Sequence, residues 1–318
     1  MNHQESQSDD FFKKIGTEAQ VRIDGDDLLL SVKDLHIIER LGEGRYGFVD
    51  FVRDRQSNKT FAVKKMTSTS FAEGERRSMM EVYVAIKSLH CPYTVNFYGA
   101  MATDGELWML MERMDISLDK LRQNITEMEG SYKIDERIIG NMSYQIISGL
   151  FFLRSEVGVA HRDVKPSNIL INKGGQVKIC DFGICGVVMS DSLTKSNAGS
   201  TPYLAPEKLV PSDDIISSSS KSDVWSLGIT ILEFTIGKYP YRKWKCDFDA
   251  IMEVLNNPSP TLPPDEYSNE FNDFINLTLK KNIEERPRYP DLLNKPFITE
   301  NENVDISAFT QKFSKTNL

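Results

Sequence analysis

The amino-acid sequence predicts an α+β protein with two lobes, a small antiparallel sheet with one helix followed by a larger, mainly helical part. Short β-like runs separated by turn residues fill the chain from Leu35 to about Glu112. Beyond Asp115 the apolar residues recur at helical spacing instead. The chain has 318 residues, 40% apolar and 26% charged, which is typical of a globular protein long enough for two lobes.

Charge and composition exclude several classes of function. The formal net charge is −8, and the lysines and arginines are scattered, so general nucleic-acid binding is disfavoured. The most apolar segment, 224–236, is too short to span a bilayer. The first residues have no apolar core of a secretion signal, and the four cysteines show neither zinc spacing nor a disulfide framework. We therefore expect a reduced compartment, the cytoplasm and in addition the nucleus.

The predicted sheet occupies residues 35–113. The runs HIIERLG, YGFVDFVR, TFAVKKM and ELWMLMER read as strands, and turn residues separate them at 54–59 and 103–105. A helix is expected from about Glu73 to Ser88. Residues 1–34 are polar and acidic, and we expect a largely flexible extension there, although the run Leu28-Leu29-Leu30 could add a strand to the next domain.

The helical part is predicted over residues 114–300, with a join near residues 111–115. Apolar residues at helical spacing predict a helix from Asp135 to Ser155, and a second apolar helix follows at about Ser222 to Ile236. Residues 301–318 are predicted to be a tail or helix. Ile306, Phe309 and Phe313 share one helical face there, either packed on the large lobe or open to a partner.

A glycine-rich segment lies between the first two strand-like runs. Glycine allows tight turns and close approach of the backbone to phosphate oxygens. The pattern also marks dinucleotide-binding folds, but in those a helix follows the last glycine, whereas here a strand carrying Lys64 follows. The candidate phosphate-binding residues are Leu41, Gly42, Glu43, Gly44, Arg45, Tyr46, Gly47 and Val49.

The stretch 161–183 reads HRDVKPSNILINKGGQVKICDFG and carries the densest chemistry. Asp163, Lys165 and Asn168 lie on a proline-containing loop. Two short apolar strands joined by a Gly-Gly turn then form a hairpin, which can bring Asp181 back towards Asn168. Two oxygen ligands near a general base form a magnesium-dependent phosphate-transfer site, because Mg²⁺ prefers hard oxygen donors.

His-Arg-Asp with Asn168, and Asp-Phe-Gly at 181–183, resemble the catalytic and metal-binding loops of eukaryotic protein kinases. The resemblance implies the two-lobed protein kinase fold, with ATP and Mg²⁺ as cofactors. It implies that Asp163 acts on the hydroxyl nucleophile, that Lys165 contacts the transferred phosphoryl group, and that Asn168 and Asp181 hold Mg²⁺. His161 and Phe182 are expected to be packing residues.

The same resemblance assigns Lys64 to the α/β-phosphates and pairs it with Glu81 on the helix that follows, with Glu75 as the competing partner. Strand alternation places the next residue, Lys65, on the opposite face, where we expect it to be exposed. The expected adenine pocket and hinge comprise Ala62, Met111, Met114 and Cys180. Arg286 resembles the buried partner of Glu207, and Asp223 resembles the residue that anchors the catalytic loop.

Four sequence segments resemble those of MAP kinase kinases of the stress-activated type. They are VKPSNILIN, GQVKICDFGI, PYLAPE and KSDVWSLGIT. That resemblance implies transfer to a Thr and a Tyr in a MAP kinase, after activation by an upstream MAP kinase kinase kinase. The family's activating hydroxyls would fall on Asp191 and Lys195, which departs from the pattern. The candidate phosphorylation sites are therefore Ser190 with Thr194, or Ser192 with Ser196.

Two other functions compete with an active protein kinase. An inactive kinase-fold scaffold commonly lacks a catalytic residue, whereas Lys64, Asp163, Asn168 and Asp181 are all present. A metabolic phosphotransferase of similar fold is disfavoured by Ala205-Pro206-Glu207, which shapes a peptide site. Lys13-Lys14-Ile15 is a weak candidate for a docking peptide, and a chance lysine pair is the simpler interpretation.

Overall fold

A computed structural model describes residues 15–23, 25–44, 47–67, 72–103, 105–130, 132–182, 201–209, 220–241 and 247–314. The described residues form two compact units that divide between Met114 and Asp115, with Phe182 assigned to the first unit. The division lies one residue from the expected boundary. The first unit is built on an antiparallel sheet and the second is mainly helical, so the predicted α+β, two-lobed fold is confirmed.

The first unit contains a two-stranded and a five-stranded antiparallel sheet. Its described elements are β1 Glu18–Ile23, β2 Asp26–Ser31, β3 Leu35–Gly44, β4 Gly47–Asp54, β5 Thr60–Thr67, α1 Ala72–Lys87, β6 Phe97–Thr103 and β7 Glu106–Met111. The larger sheet has the order β3-β4-β5-β7-β6. All four predicted strands are present. Strand β6 was not predicted, because its sequence FYGAMAT is rich in glycine and alanine, which favour strands poorly.

The expectation of a largely flexible extension does not hold for residues 18–31. Strands β1 and β2 form an antiparallel hairpin, and Val21, Ile23 and Leu30 belong to the buried core cluster of the first unit. Leu30 is 1% exposed, whereas Leu29 is 62% exposed, as alternation in a strand requires. The apolar run at 28–30 is therefore part of a strand packed on the sheet, which removes the Leu30 side chain from water.

The prediction that Lys65 is exposed is wrong. Lys65 is buried, its Nζ lies 2.9 Å from Asp50 Oδ2, and it lies 4.0 Å from the ring centroid of Trp108. Alternation does place Lys65 opposite Lys64, but that opposite face is itself buried, because Phe61 and Val63 on it belong to the core cluster. The ion pair with Asp50 compensates part of the cost of removing the ammonium group from water.

The second unit contains a small sheet of order β10-β9-β8 and nine described helices. The strands are β8 Ile116–Ser117, β9 Ile169–Ile171 and β10 Val177–Ile179. The helices are α2 Leu118–Glu129, α3 Glu136–Phe152, α4 Pro206–Leu209, α5 Ser220–Ile236, α6 Asp247–Asn256, α7 Asn269–Thr278, α8 Tyr289–Leu293, α9 Pro296–Thr299 and α10 Ser307–Phe313.

Helix α3 follows the predicted pattern. Asp135 caps its first turn by accepting a hydrogen bond from Arg137 N at 2.9 Å. The predicted apolar stripe, which includes Ile139, Met142 and Ile146, is buried. The regular helix ends at Phe152 and continues as a short π-helical turn over Leu153–Val157. Helix α5 is buried over most of its circumference, as expected of a helix that is apolar on all sides.

The last helix, α10, packs on the second unit. Ile306 and Phe313 are each 3% exposed, and Phe309 is half-buried. Asn124 Nδ2 donates to Phe313 O at 2.8 Å, and Thr310 Oγ1 donates to Lys173 O at 3.1 Å. Of the two interpretations of this apolar face, the structure supports packing. In the described part of the chain, none of the helices has the length and apolar character needed to cross a membrane.

Candidate active site

The first unit brings Lys64 and Glu81 together. Strand β5 carries Lys64 and helix α1 carries Glu81, and Lys64 Nζ lies 2.5 Å from Glu81 Oε1. Glu81 is 4% exposed, so the pair is largely protected from water, where a charge-assisted hydrogen bond is strong. The competing residue, Glu75, belongs to the part of α1 whose side chains the structure does not describe. Glu81 therefore supplies the observed partner of Lys64.

The glycine-rich segment forms the hairpin between β3 and β4. Gly44 pairs with Gly47, and a strand rather than a helix follows the last glycine, against a dinucleotide-binding turn. Gly47 has a φ of 147°, and a Cβ built there would lie 1.8 Å from Lys65 O, so only glycine fits. A Cβ at Gly42 would meet nothing within 4 Å. Arg45 and Tyr46 lie outside the described residues.

The other candidate nucleotide-binding residues of the first unit lie on β3, β4, β5 and β7 or just beyond. Val49 pairs in register with Lys64, and Ala62 with Met111. Leu41 is 43% exposed on β3, next to Gly42 and Glu43, and Met114 is buried after β7. Glu112, between Met111 and Met114, accepts a hydrogen bond from Asn96 N at 2.6 Å, which fixes this connecting segment.

The second unit brings Asp163, Lys165 and Asn168 together on one loop. Lys165 Nζ lies 2.8 Å from Asp163 Oδ2, and Asn168 Nδ2 donates to Asp163 Oδ2 and to its carbonyl oxygen, both at 2.9 Å. The loop ends in a 3₁₀ turn at Pro166–Asn168 instead of a regular helix. The carboxylate of Asp163 is thus held in one position between an ammonium group and an amide.

The β9–β10 hairpin connects Asn168 to the segment that contains Asp181. Ile169 pairs with Ile179, and Cys180 N donates to Asn168 O at 3.0 Å. Asp181 follows immediately with a φ of 67°, a left-handed conformation that is uncommon for residues other than glycine. The predicted hairpin is confirmed. It brings Cys180, the residue before Asp181, into hydrogen-bond contact with Asn168.

His161 is a packing residue, as predicted. It is 1% exposed, its Nδ1 accepts a hydrogen bond from Asp163 N at 3.2 Å, and its Nε2 lies 3.0 Å from Cys180 O. The neutral tautomer with a proton on Nε2 satisfies both bonds. The ring therefore joins the catalytic loop to the end of β10, and Phe182 beyond it is also buried.

Asp223 at the start of α5 anchors the catalytic loop through two backbone N–H groups. Its two carboxylate oxygens accept hydrogen bonds from His161 N and Arg162 N, each at 2.8 Å. Arg162 has a φ of 68°, so these bonds hold a backbone conformation that is otherwise unfavourable. Burial raises the pKa of Asp223, while the electrostatic influence of His161 and the backbone N–H donors oppose that shift.

Glu207, in the Ala205-Pro206-Glu207 segment, forms the expected pair with Arg286. Arg286 Nη1 lies 2.8 Å from Glu207 Oε1, and Nη2 lies 3.0 Å from Oε2. Arg286 is 1% exposed. Burial on its own would raise the pKa of Glu207, but the hydrogen bonds and charge of Arg286 outweigh it, and the pKa is lowered. The bidentate geometry fixes the segment in one position.

The sequence did not predict three polar anchors of the turn at Thr201–Tyr203. Tyr203 donates to Glu233 Oε2 at 2.7 Å, Ser226 Oγ donates to Tyr203 O at 2.7 Å, and Tyr239 donates to Pro202 O at 2.5 Å. Burial raises the pKa of Glu233, against the lowering effect of the Tyr203 hydrogen bond and the Arg122 charge. Residues far apart in the chain make these contacts, so no local pattern signals them.

The donor set fits a magnesium ion held mainly by oxygen atoms. Asn168 makes both of its hydrogen bonds to Asp163 through Nδ2, so its side-chain oxygen takes no part in them. Among the described residues, no group of three or more His, Cys, Asp or Glu could hold a metal by itself. Few protein ligands are typical of Mg²⁺, which completes its octahedron with water and phosphate oxygens.

Several candidate residues belong to segments that the structure does not describe. Gly183 and the candidate phosphorylation sites Ser190, Ser192, Thr194 and Ser196 lie outside the described residues, as do Asp191, Lys195, Lys13 and Lys14. The described candidates form two sets of interacting groups. Lys64 and Glu81 form one set in the first unit, and Asp163, Lys165 and Asn168, linked to Cys180, form the other in the second unit.

These two sets define a protein kinase, and comparison with known sequences agrees. The model of the protein kinase domain matches residues 35–298. The chain is 39% identical over 285 residues to dual specificity mitogen-activated protein kinase kinase sek-1 of Caenorhabditis elegans, covering 88% of this chain and 83% of that protein. It is 36% identical over 290 residues to dual specificity mitogen-activated protein kinase kinase 7 of Homo sapiens and of Rattus norvegicus, covering 90% of this chain and 68% of each relative.

The chain belongs to the protein kinase family and, within it, to the dual specificity mitogen-activated protein kinase kinases. It is an ATP-dependent protein kinase, and the family generally uses ATP with Mg²⁺. The alternative of an inactive scaffold finds no support. The family and the activity expected from the sequence are therefore confirmed.

Proposed function

We propose that this kinase transfers the γ-phosphoryl group of ATP to a threonine and a tyrosine in the activation loop of a MAP kinase. The observation that best supports this proposal is that Lys165 and Asn168 both hold the carboxylate of Asp163. The relatives at 36–39% identity, named as dual specificity mitogen-activated protein kinase kinases, support the substrate class.

Each of the two sets of interacting groups has a proposed role. Lys64, fixed by Glu81, binds the α/β-phosphates, and the glycine-rich hairpin that ends at Gly47 covers them with backbone N–H groups. Ala62, Met111 and Met114 are proposed to contact the adenine ring, and Cys180 to face the nucleotide. The interaction of Lys64 with Glu81 keeps the ammonium group in position before the nucleotide binds, which lowers the cost of ordering it.

Asp163 orients the substrate hydroxyl and accepts its proton as the oxygen attacks the γ-phosphorus. The new oxygen–phosphorus bond forms as the bond to the bridging oxygen of ADP breaks. Lys165 neutralises charge on the transferred group, and its contact with Asp163 keeps the two side chains at a fixed separation. Asn168 and Asp181 would hold Mg²⁺, which would supply positive charge against the phosphates.

Activation is proposed to occur between residues 190 and 196. An upstream MAP kinase kinase kinase would phosphorylate Ser190 and Thr194, or Ser192 and Ser196, and new contacts to Arg162 would order the segment. Asp191 would supply part of the negative charge permanently. Phosphopeptide mapping of active enzyme that finds no phosphate from Ser190 to Ser196 would remove this proposal, and Asp191→Ala tests the contribution of the permanent charge to basal activity.

The substrate assignment is tested with the purified chain, MgATP and a panel of MAP kinases inactivated at their own catalytic aspartate. Thr and Tyr phosphorylation of the activation loop is read by mass spectrometry. We expect both residues of at least one panel member to be modified, and Asp163→Asn to lower kcat by about 10²–10⁴-fold. Phosphorylation of none of them, under conditions in which ATP is hydrolysed, would overturn the substrate class. We propose the cytoplasm as the location, with the nucleus as a second compartment.

A further inference from the structure

The buried carboxylate of Asp223 receives a third hydrogen bond, which comes from a residue far along the chain. In addition to the backbone N–H groups of His161 and Arg162, Tyr289 donates its hydroxyl hydrogen to Asp223 Oδ2 at 3.2 Å. Tyr289 is 2% exposed and Asp223 is also 2% exposed. The phenol and the carboxylate therefore meet out of contact with water, where each hydrogen bond to an ionised group contributes strongly.

Tyr289 is itself rigidly placed. It is the first residue of helix α8, whose start is fixed by Asp291 Oδ2 accepting from Arg288 N at 3.0 Å. Three residues before Tyr289, Arg286 pairs with Glu207 and donates to Lys221 O at 2.7 Å, at the start of α5. The short segment 286–289 thus contacts two other parts of the second unit. Arg286 holds the segment around Glu207, and Tyr289 contacts the catalytic loop through Asp223.

We propose that Tyr289 is a positioning residue for phosphoryl transfer, which holds the catalytic loop in its active geometry through Asp223. The inference rests on the proposed role of Asp163, which directly follows Arg162. Because Arg162 adopts a left-handed backbone conformation, the loop depends on its N–H bond to Asp223. A carboxylate that loses one donor in a desolvated site shifts towards its neutral form, and a neutral carboxyl accepts weaker hydrogen bonds.

Among the described residues, the titratable and charged groups that face Asp223 come from three elements. His161 and Arg162 face it from the catalytic loop, Lys208 contributes a positive charge from α4, and Tyr289 faces it from α8. Burial favours the neutral carboxyl, whereas the electrostatic influence of His161 and the three hydrogen-bond donors favour the carboxylate. Removal of the Tyr289 hydroxyl therefore raises the pKa of Asp223 further, and the loss of kcat on acidification begins at a higher pH.

The test uses Tyr289→Phe, which removes the hydroxyl and keeps the ring. Tyr267→Phe is the matched control, because Tyr267 is a partly buried tyrosine whose hydroxyl lies 3.5 Å from a carbonyl oxygen, that of Thr235. Amide hydrogen exchange at His161 and Arg162 is measured in the full chain without substrate. The kcat and the KM for ATP are measured as MgATP hydrolysis without a protein substrate, so neither readout depends on which MAP kinase is modified.

For Tyr289→Phe we expect faster exchange at both amides and a kcat lowered about tenfold, the scale of a slightly misplaced reacting group, with KM for ATP nearly unchanged. The acid limb of the kcat profile moves to higher pH, and Tyr267→Phe changes none of these. In an Asp223→Asn background the effect of Tyr289→Phe disappears, since Tyr289 acts through that carboxylate.

Unchanged exchange and kcat in Tyr289→Phe would overturn the inference, and so would an undiminished effect in the Asp223→Asn background. If part of the Tyr289→Phe protein is unfolded, the pH dependence of kcat is measured on the folded fraction. An acid limb at the same pH as that of the unaltered chain would then overturn the inference. An unaltered chain that hydrolyses ATP but modifies no MAP kinase overturns the substrate assignment and leaves this inference standing.

Discussion

At the scale of single residues, two adjacent lysines of β5 serve different purposes. Lys64 faces Glu81 of α1, while Lys65 faces Asp50 and Trp108. Strand alternation separates them, and the sheet has buried side chains on both faces, so both ammonium groups need partners. Lys64, held by Glu81, is proposed to bind phosphate, whereas the pair of Lys65 with Asp50 stabilises the sheet.

Replacement of Lys65 should destabilise the first unit without removing the phosphate-binding lysine. Lys65→Met leaves Asp50, which is 1% exposed, with Arg40 Nε at 3.3 Å as its remaining cationic partner, and we expect a loss of about 1.5–3 kcal/mol of unfolding free energy. Denaturant unfolding measures this loss. The double variant Lys65→Met/Asp50→Leu should recover much of it, and a double variant as unstable as Lys65→Met would contradict the ion-pair explanation.

Glu81 and Glu75 can be distinguished by activity. Glu81→Gln weakens a charge-assisted hydrogen bond to Lys64, and we expect kcat/KM for ATP to fall about 10- to 100-fold. Glu75→Gln, on the same helix, is the matched control and should retain nearly full kcat/KM. Equal losses in the two variants would show that the helix as a whole, and not the Lys64–Glu81 pair, determines the effect.

Stability in acid should depend on Glu207. Its pKa is lowered in the folded protein from an ordinary value of 4.5, so its contribution is fully present above pH 4.5 and is lost as the pH falls through the lower folded pKa. Glu207→Gln should cost about 2–4 kcal/mol at pH 7, because Arg286 loses an ionised partner. Urea unfolding at several pH values measures the difference in unfolding free energy between the unaltered chain and Glu207→Gln. We expect this difference to narrow below pH 4.5, and a difference that stays constant would refute the prediction.

At the scale of elements, hairpins do much of the positioning. The β9–β10 hairpin returns the chain so that Cys180 bonds to Asn168, and the β3–β4 hairpin ends at Gly47, where the backbone passes too close to Lys65 for any side chain. The β1–β2 hairpin has another role, because it covers the sheet with apolar side chains. Each hairpin brings together residues that sequence spacing alone separates.

The β1–β2 hairpin offers a matched pair of adjacent leucines. Leu30→Ala removes a fully buried side chain and should cost about 2–5 kcal/mol, whereas Leu29→Ala alters an exposed side chain and should change stability by less than about 0.5 kcal/mol. Thermal or denaturant unfolding of the two variants measures the difference. Similar values for both would mean that the hairpin does not pack on the sheet.

At the scale of the whole molecule, the second unit is closed by the last described part of the chain. Residues 301–314 contact α2 through Phe313 O, α3 through the Asn141 side chain, and the β9–β10 turn through Thr310. A Cβ at Gly175 in that turn would lie 2.9 Å from Ile306. The C-terminal helix is therefore structural, and it supports the hairpin that precedes Asp181.

Removal of residues 301–318 should lower the stability of the second unit. The deletion exposes the surfaces that Ile306 and Phe313 cover, and burial of two such side chains is worth about 3–6 kcal/mol. Calorimetry should show a lower midpoint for the truncated chain than for Phe309→Ala, in which a half-buried side chain is shortened. A truncated chain with the midpoint of the full chain would contradict the structural role.

The sequence by itself determined the two-lobed class, the strands with strong alternation and the stripe of α3, and it supplied the candidate residues of the catalytic and metal-binding loops. Those features depend on local periodicity or on fixed short spacings, which the order of residues expresses directly. The burial of Lys65, the packing of β1 and β2, the anchors of Tyr203 and the hydroxyl of Tyr289 on Asp223 were decided by the tertiary structure. Each depends on what covers a given face, and the covering residue comes from a distant part of the chain, where no local pattern records it.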